Sequence, residues 1–231
     1  MLRSMEPIYA RHAYLHALED LEHSLLEMGT RAEQMVSMAV DALVELNTEE
    51  SMRVLNADDE VDDRDLVIED QCLQMLALQQ PIGSDLRVIG AIMKIITDIE
   101  RVGDLAVDIA KCAMKIDKEL STTTYVDIPR MAGIARKMFR DALEAFVKRD
   151  MDLVQAIGRA DDEVDDLYRE LRAQIHEHMR TTPDDVVASS WLLLAIHHLE
   201  RIADHAVNIA ERVGFMVTGK MEQFSAVRRG T

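Results

Sequence analysis

Carboxylates recur at four-residue spacing in four stretches of this chain: Asp58 and Asp62; Glu100, Asp104 and Asp108; Asp161 and Asp165; Glu200 and Asp204. A helix turns about 100° per residue, so side chains at i, i+4 and i+8 drift slowly along one face. Asp65 and Glu69 continue the first stripe, while Asn208 and Glu211 follow the last. Like charges so placed repel, by about 0.2–0.5 kcal/mol per exposed pair and by more when crowded between helices. Two remedies exist. A hard cation held by oxygen ligands offsets the repulsion, and so do salt bridges from Arg101, Arg201 or Lys94. Spacing alone leaves both open: the nine carboxylates are candidate metal ligands, or they form an acidic face balanced by arginine. Glu60, Asp63, Glu163, Asp166 and Glu170 fall on the opposite sides of their helices and are expected to be solvated.

The elements that must carry these stripes are helices. Apolar periodicity and breakers predict six, over about 8–46, 49–80, 84–119, 127–149, 151–181 and 184–217. Breaks fall at Asn47-Thr48, at Pro81 to Ser84, at Ser121 to Asp127, at Asp150 and at Thr181 to Asp184. Ser84 and Asp184 (or Thr182) suit N-cap positions. With short connections, neighbouring helices run antiparallel. Asp62 and Asp104 lie about equally far from the turn near Ile82-Gly83, as do Asp161 and Asp204 from that near Thr182-Pro183. Equal rise then puts the members of each pair level with one another.

The chain also repeats itself. Ala57 to Asp63 recurs unchanged as Ala160 to Asp166, an offset of 103 residues, and at that offset Met28 and Met35 align with Met131 and Met138. Farther on, Ile99-Glu100-Arg101 with Asp104 recurs as Leu199-Glu200-Arg201 with Asp204, an offset of 100. The expected fold is therefore all-α, a tandem repeat of two three-helix bundles. The expected divisions are a first bundle over 1–120, a second over 121–217 and a tail over 218–231, with Ser121 to Tyr125 as the linker.

Other chemistry-bearing residues carry weaker signals. His197 lies on the Glu200 and Asp204 side by helical phase, where it could add a ligand; His198 points elsewhere. His12, His16 and His23 on the first helix are expected to be surface or partner-facing. The paired methionines read as core filling. Cys72 and Cys112 read as reduced core thiols. Arg87 sits in the first turn of its helix, where the dipole does not favour a cation, so an anion or partner contact is an open reading for it. No nucleophile with its base, no phosphate-cradling glycine loop and no CxxC knuckle is present.

Bulk properties narrow the function. The net charge of −17 excludes nucleic-acid backbone binding, which needs a basic face, and favours cations or basic partner surfaces. The best candidate for a span, Val186 to Ile196, includes Ser189 and Ser190, is too short to cross a bilayer and reads as a buried helix segment. Met1 to Tyr9 carry no apolar signal core, so a cytoplasmic location is expected, with membranes met only through partners.

At the duplicated stretches the chain resembles the PhoU family, accessory proteins of the phosphate-specific transport system. Asp58-x-x-x-Asp62, Glu100-x-x-x-Asp104-x-x-x-Asp108, Asp161-x-x-x-Asp165 and Glu200-x-x-x-Asp204 match the family's tandem acidic motifs. Pro81 to Arg87 matches its helix opening, and the resemblance runs over about 8–217. Asn208 in place of a second Asp108, and Val187 in place of a second Arg87, depart from strict repetition. The resemblance implies a negative regulator of phosphate-starvation signalling and phosphate uptake. Such a protein is no enzyme but an adaptor linking the Pst phosphate transporter to a sensor histidine kinase, often as a homodimer. It also implies metal on the acidic motifs, iron or zinc before magnesium or manganese. Two rival classes are a carboxylate-bridged metal enzyme or metal-storage bundle, and a purely structural scaffold. Ferritin-like sites need Glu-x-x-His motifs, and this chain has none.

Overall fold

A computed structural model describes residues 6–116 and 127–221. Six helices account for nearly all of them: α1 (Glu6–Glu45), α2 (Thr48–Gln79), α3 (Ser84–Lys115), α4 (Asp127–Lys148), α5 (Met151–Thr181) and α6 (Val186–Thr218), with a short 3-10 turn at Pro183–Asp185 before the last. The helix boundaries expected from periodicity agree to within a few residues. The expected linker at Ser121 to Tyr125, residues 117–119 and most of the tail lie outside the described residues.

Each half folds as α1–α3 or α4–α6, all three helices touching one another, and the most extensive contact of all joins α3 to α6. These two helices carry the greatest share of buried Ile, Val, Leu and Ala, and the buried residues of both halves form one continuous core. Met28, Met35, Met131 and Met138 are fully buried within it, as expected of core filling. Cys72 and Cys112 are buried and unbridged. Burial pushes both thiols up to about 12, which makes them poor nucleophiles. Ala188, Ser189, Leu192, Ala195 and Ile196 are buried while Val186, Val187 and Leu194 are exposed, so only one face of Val186 to Ile196 enters the core. Among the described residues no helix is long and apolar enough to cross a membrane.

The caps differ from the sequence-based expectation. Asn47 caps α2, its Oδ1 accepting from the Glu49 and Glu50 amides at 3.0 and 3.2 Å, and Asp150 caps α5 in the same way. Ser84 is already inside α3; the position before it is Gly83, at φ +61°, with no side-chain cap. Asp184 sits inside the 3-10 turn, and Thr182 offers α6 no side-chain cap. Asn47 and Asp150 each follow a residue with positive φ, Leu46 and Arg149, so the tight α1–α2 and α4–α5 turns present them in the extended geometry a cap requires.

Arg87 has a structural role. Its Nε donates to the Met216 carbonyl at 3.3 Å, in the last turn of α6, where a cation complements the helix dipole. The guanidinium thus ties the start of the first half's third helix to the end of the second half's.

Gly103 marks where α3 approaches α2. A Cβ there would meet Val61 Cγ1 at 3.4 Å and Asp58 Oδ1 at 3.7 Å, ordinary contacts, and the repeat places Ala203 at the matching position. Gly103→Ala is therefore expected to stabilise the fold by roughly 0.5 kcal/mol, through lower entropy in the unfolded chain. A denaturant midpoint that falls would show that α2 and α3 pack too closely for a methyl group.

Candidate functional site

The antiparallel pairing of α2 with α3 brings the first two carboxylate stripes together. Asp58, Asp62 and Asp65 on α2 face Glu100 and Asp104 on α3 closely enough to perturb one another's ionisation. Burial, then the charges of Asp62 and Asp104, raises Asp58 to about 6. Burial followed by Asp104 also raises Asp62 and Glu100, and burial followed by Glu69 raises Asp65. Asp65, noted on the stripe but outside the candidate ligand set, belongs to this cluster.

The second half reproduces the arrangement with α5 and α6. Asp161 is buried, and Asp165 and Asp204 stand near it. Burial, then Asp204, Asp165 and Asp161 in that order, raises Glu200 to about 7. His197 lies beside this group, as its phase predicts, with Nδ1 at 3.4 Å from Glu200 Oε2. Neither atom makes a hydrogen bond.

Arginine balances part of the first cluster. Arg101 reaches Asp104 at 2.7 Å and Glu100 at 3.3 Å. Asp108 pairs with Lys111 at 3.1 Å and lies within electrostatic reach of His198 on α6, so it faces the junction between the halves. Of the carboxylates expected to be solvated, Glu60 takes ion pairs from Arg31 at 2.9 Å and Arg64 at 3.4 Å, and Glu163 one from Arg130 at 2.7 Å. Their half-exposed positions stitch α1 to α2 and α4 to α5.

The junction holds a contact that periodicity did not single out. Asp98 on α3 accepts from His205 Nδ1 at 2.8 Å and from Asn208 Nδ2 at 3.2 Å on α6. The repeat contained the signal. Asp98 aligns with His198, Asp108 with Asn208 and Leu105 with His205, so each half carries at these positions what the other needs. Asp98 opposite Asn208, with Asp108 near His198, fixes the antiparallel register of α3 and α6. Glu100 to Asp104 then lies level with Glu200 to Asp204 along the paired helices.

The donor set suits a hard cation in one respect: every candidate ligand is a carboxylate. Asp58 Oδ1, Asp65 Oδ1 and Glu200 Oε2 are buried oxygens that accept no hydrogen bond from the described protein atoms, which is costly unless something else satisfies them. Yet among the described residues no three His, Cys, Asp or Glu side chains stand as a set that could hold an ion. The clusters are carboxylate-lined patches in which side chains would have to turn inward around a cation, a change that rotamers on fixed helices allow.

Comparison with known proteins follows the same duplication. The family model described as the PhoU domain matches twice, over residues 25–113 and 128–213. The chain is 34% identical to a protein of Clostridium acetobutylicum named a phosphate-specific transport system accessory protein PhoU homolog, over 88% of this chain and 93% of the relative. A homolog of the same name from Synechocystis is 35% identical, over 92% and 94% of the two chains. Among solved structures, the crystal structure of PhoU from Pseudomonas aeruginosa superposes with a TM-score of 0.86 at 34% identity, covering 90% of this chain and 100% of that one. The phosphate transport system regulatory protein PhoU from Streptococcus pneumoniae gives 0.85 at 29% identity, covering 91% and 99%.

Proposed function

The chain belongs to the PhoU family, and from that premise we propose that it is an accessory protein of a phosphate-specific transport system, a non-enzymatic negative regulator of phosphate uptake and phosphate-starvation signalling. The observation that carries this reading is the match to accessory proteins over both halves and nearly the full length of each relative. In this role the protein is an adaptor in the cytoplasm, as a homodimer, between the Pst transporter and a sensor histidine kinase. The strongly acidic surface supports docking on basic partner faces. The test is affinity capture of Pst components and kinase from cells grown in high and in low phosphate. Capture of both, with a phosphate-dependent ratio, is the expected result; capture of neither under either condition overturns the adaptor role.

Within the same proposal the two clusters are metal sites. Asp58, Asp62, Glu100, Asp104 and Asp108 would hold the ion in the first half, and Asp161, Asp165, Glu200 and Asp204 in the second. The buried oxygens that accept no hydrogen bond and the raised carboxyls support this reading, because a divalent cation neutralises the charges that crowd there. Iron or zinc is the expected occupant, magnesium or manganese the next. Elemental analysis of untagged protein purified without chelators should find metal that falls by about half in Asp104→Asn or Asp204→Asn and is lost in the double variant. Unchanged metal content in the double variant would exclude these clusters. Rapid catalytic oxidation after anaerobic iron loading would instead favour a metal enzyme or storage bundle.

A further inference from the structure

Three of the eight histidines lie near the start of α1, away from both carboxylate clusters and unused by the proposed adaptor role. His12, His16, Glu19 and His23 fall within about 60° of one another around the helix axis, a single stripe. The His12 and His16 rings are 4.5 Å apart, centroid to centroid, and edge-on. His16 Nδ1 faces Glu19 Oε2 at 3.5 Å, with those side chains 62% and 75% exposed.

This turn of helix is fixed to the rest of the molecule. Tyr14, between the two histidines, is buried, and Arg11 pairs with Asp85 at the α2–α3 turn at 3.6 Å. The buried tyrosine sets the helix rotation so that His12 and His16 both face outward. Two imidazoles one turn apart on a fixed helix lose little freedom when they close on one ion. A carboxylate at His16 Nδ1 holds the tautomer that leaves Nε2 as the donor, as outer-shell carboxylates do for metal-bound histidine. Nitrogen donors select zinc, nickel or copper over the hard cations that suit oxygen sites.

We infer that His12 and His16 form a two-imidazole chelate for a borderline divalent transition-metal ion, oriented by Glu19, with water completing the coordination. The site is chemically distinct from the carboxylate clusters. It lies by the α2–α3 turn, about twenty helical residues, or roughly 30 Å, from the first of them.

The test is calorimetric titration of Ni²⁺ into the untagged full chain and into His12→Ala, His16→Ala and His23→Ala. Alanine suits an exposed helical position, so the histidine variants keep their fold, which circular dichroism verifies. Affinity for the imidazole-bound ion is expected to drop about tenfold or more in His12→Ala and His16→Ala. It should stay within about twofold of the parent in His23→Ala. Ni²⁺ should also raise the thermal midpoint of the parent by more than that of His12→Ala, because the chelate clamps one helical turn. Parent-like Ni²⁺ binding in His12→Ala or His16→Ala overturns the inference.

Discussion

Glu200→Gln is expected to stabilise the metal-free protein at pH 8 by about 1.5 kcal/mol and, in the same molecule, to weaken cation binding by about tenfold or more. The two effects have one cause. Glu200 is largely buried and faces Asp204, Asp165 and Asp161, which raise its carboxyl from 4.5 to about 7. The folded state therefore holds this proton more tightly than the unfolded chain does, and ionisation opposes folding. Between about pH 4.5 and 7 the native state binds more protons, so stability falls as pH rises through that window and levels off above 7. Asp58, raised from 3.8 to about 6, contributes a similar decline at slightly lower pH. The full shift of Glu200 would correspond to about 3 kcal/mol, and partial solvent access reduces it by about half. Glutamine removes the charge, hence the gain at pH 8 and the flatter profile. Denaturant melts of chelated protein from pH 4 to 9 measure both. Adding a bound divalent cation should reverse the order, with the parent chain becoming more stable than the variant. A parent profile that rises from pH 4.5 to 7 without metal, or a variant less stable at pH 8, would contradict the electrostatic account of this cluster.

The second large effect lies at the junction of the halves. Asp98→Ala should destabilise the fold by about 2–3 kcal/mol. It strips the acceptor from His205 and Asn208, which meet Asp98 at 2.8 and 3.2 Å in a site where Asp98 and His205 are 16% and 13% exposed. The repeat suggests the compensating change: His205 aligns with Leu105, so a leucine occupies the matching place in the other half. Asp98→Ala with His205→Leu should recover more than half of the loss, because no buried imidazole is then left without its partner. The double-mutant cycle, read from urea midpoints, decides the matter. Purely additive losses would mean that the pair contributes little and that α3–α6 packing is governed by the apolar contacts alone.

The Arg87 contact shows how a local rule can mislead. Judged against its own helix, a cation in the first turn is unfavourable, which suggested an anion or a partner. The antiparallel packing of α3 and α6 instead delivers the C-terminal carbonyls of α6 to the guanidinium. Val187, at the matching place in the second half, stands more exposed at 69%. The repeat is symmetric in its acidic clusters and asymmetric at its ends.

The sequence by itself determined the helices, their antiparallel order within each half and the pairing of carboxylate stripes. Those depend on local periodicity, on short turns and on a constant rise per residue, all of which are counted along the chain. Duplication of Ala57 to Asp63 and of the Glu100 and Asp104 stretch then required whatever the first half built to be built again. Only the tertiary structure decided how the halves meet, because the α3–α6 register depends on contacts between residues about a hundred positions apart. That register packs Asp98 against His205, brings Asp108 within electrostatic reach of His198, and sets the two acidic stretches of α3 and α6 level with each other. The depth of burial that raises Asp58 and Glu200 is likewise a property of the packed helices, since the same carboxylates on isolated helices would stay hydrated and ionise normally.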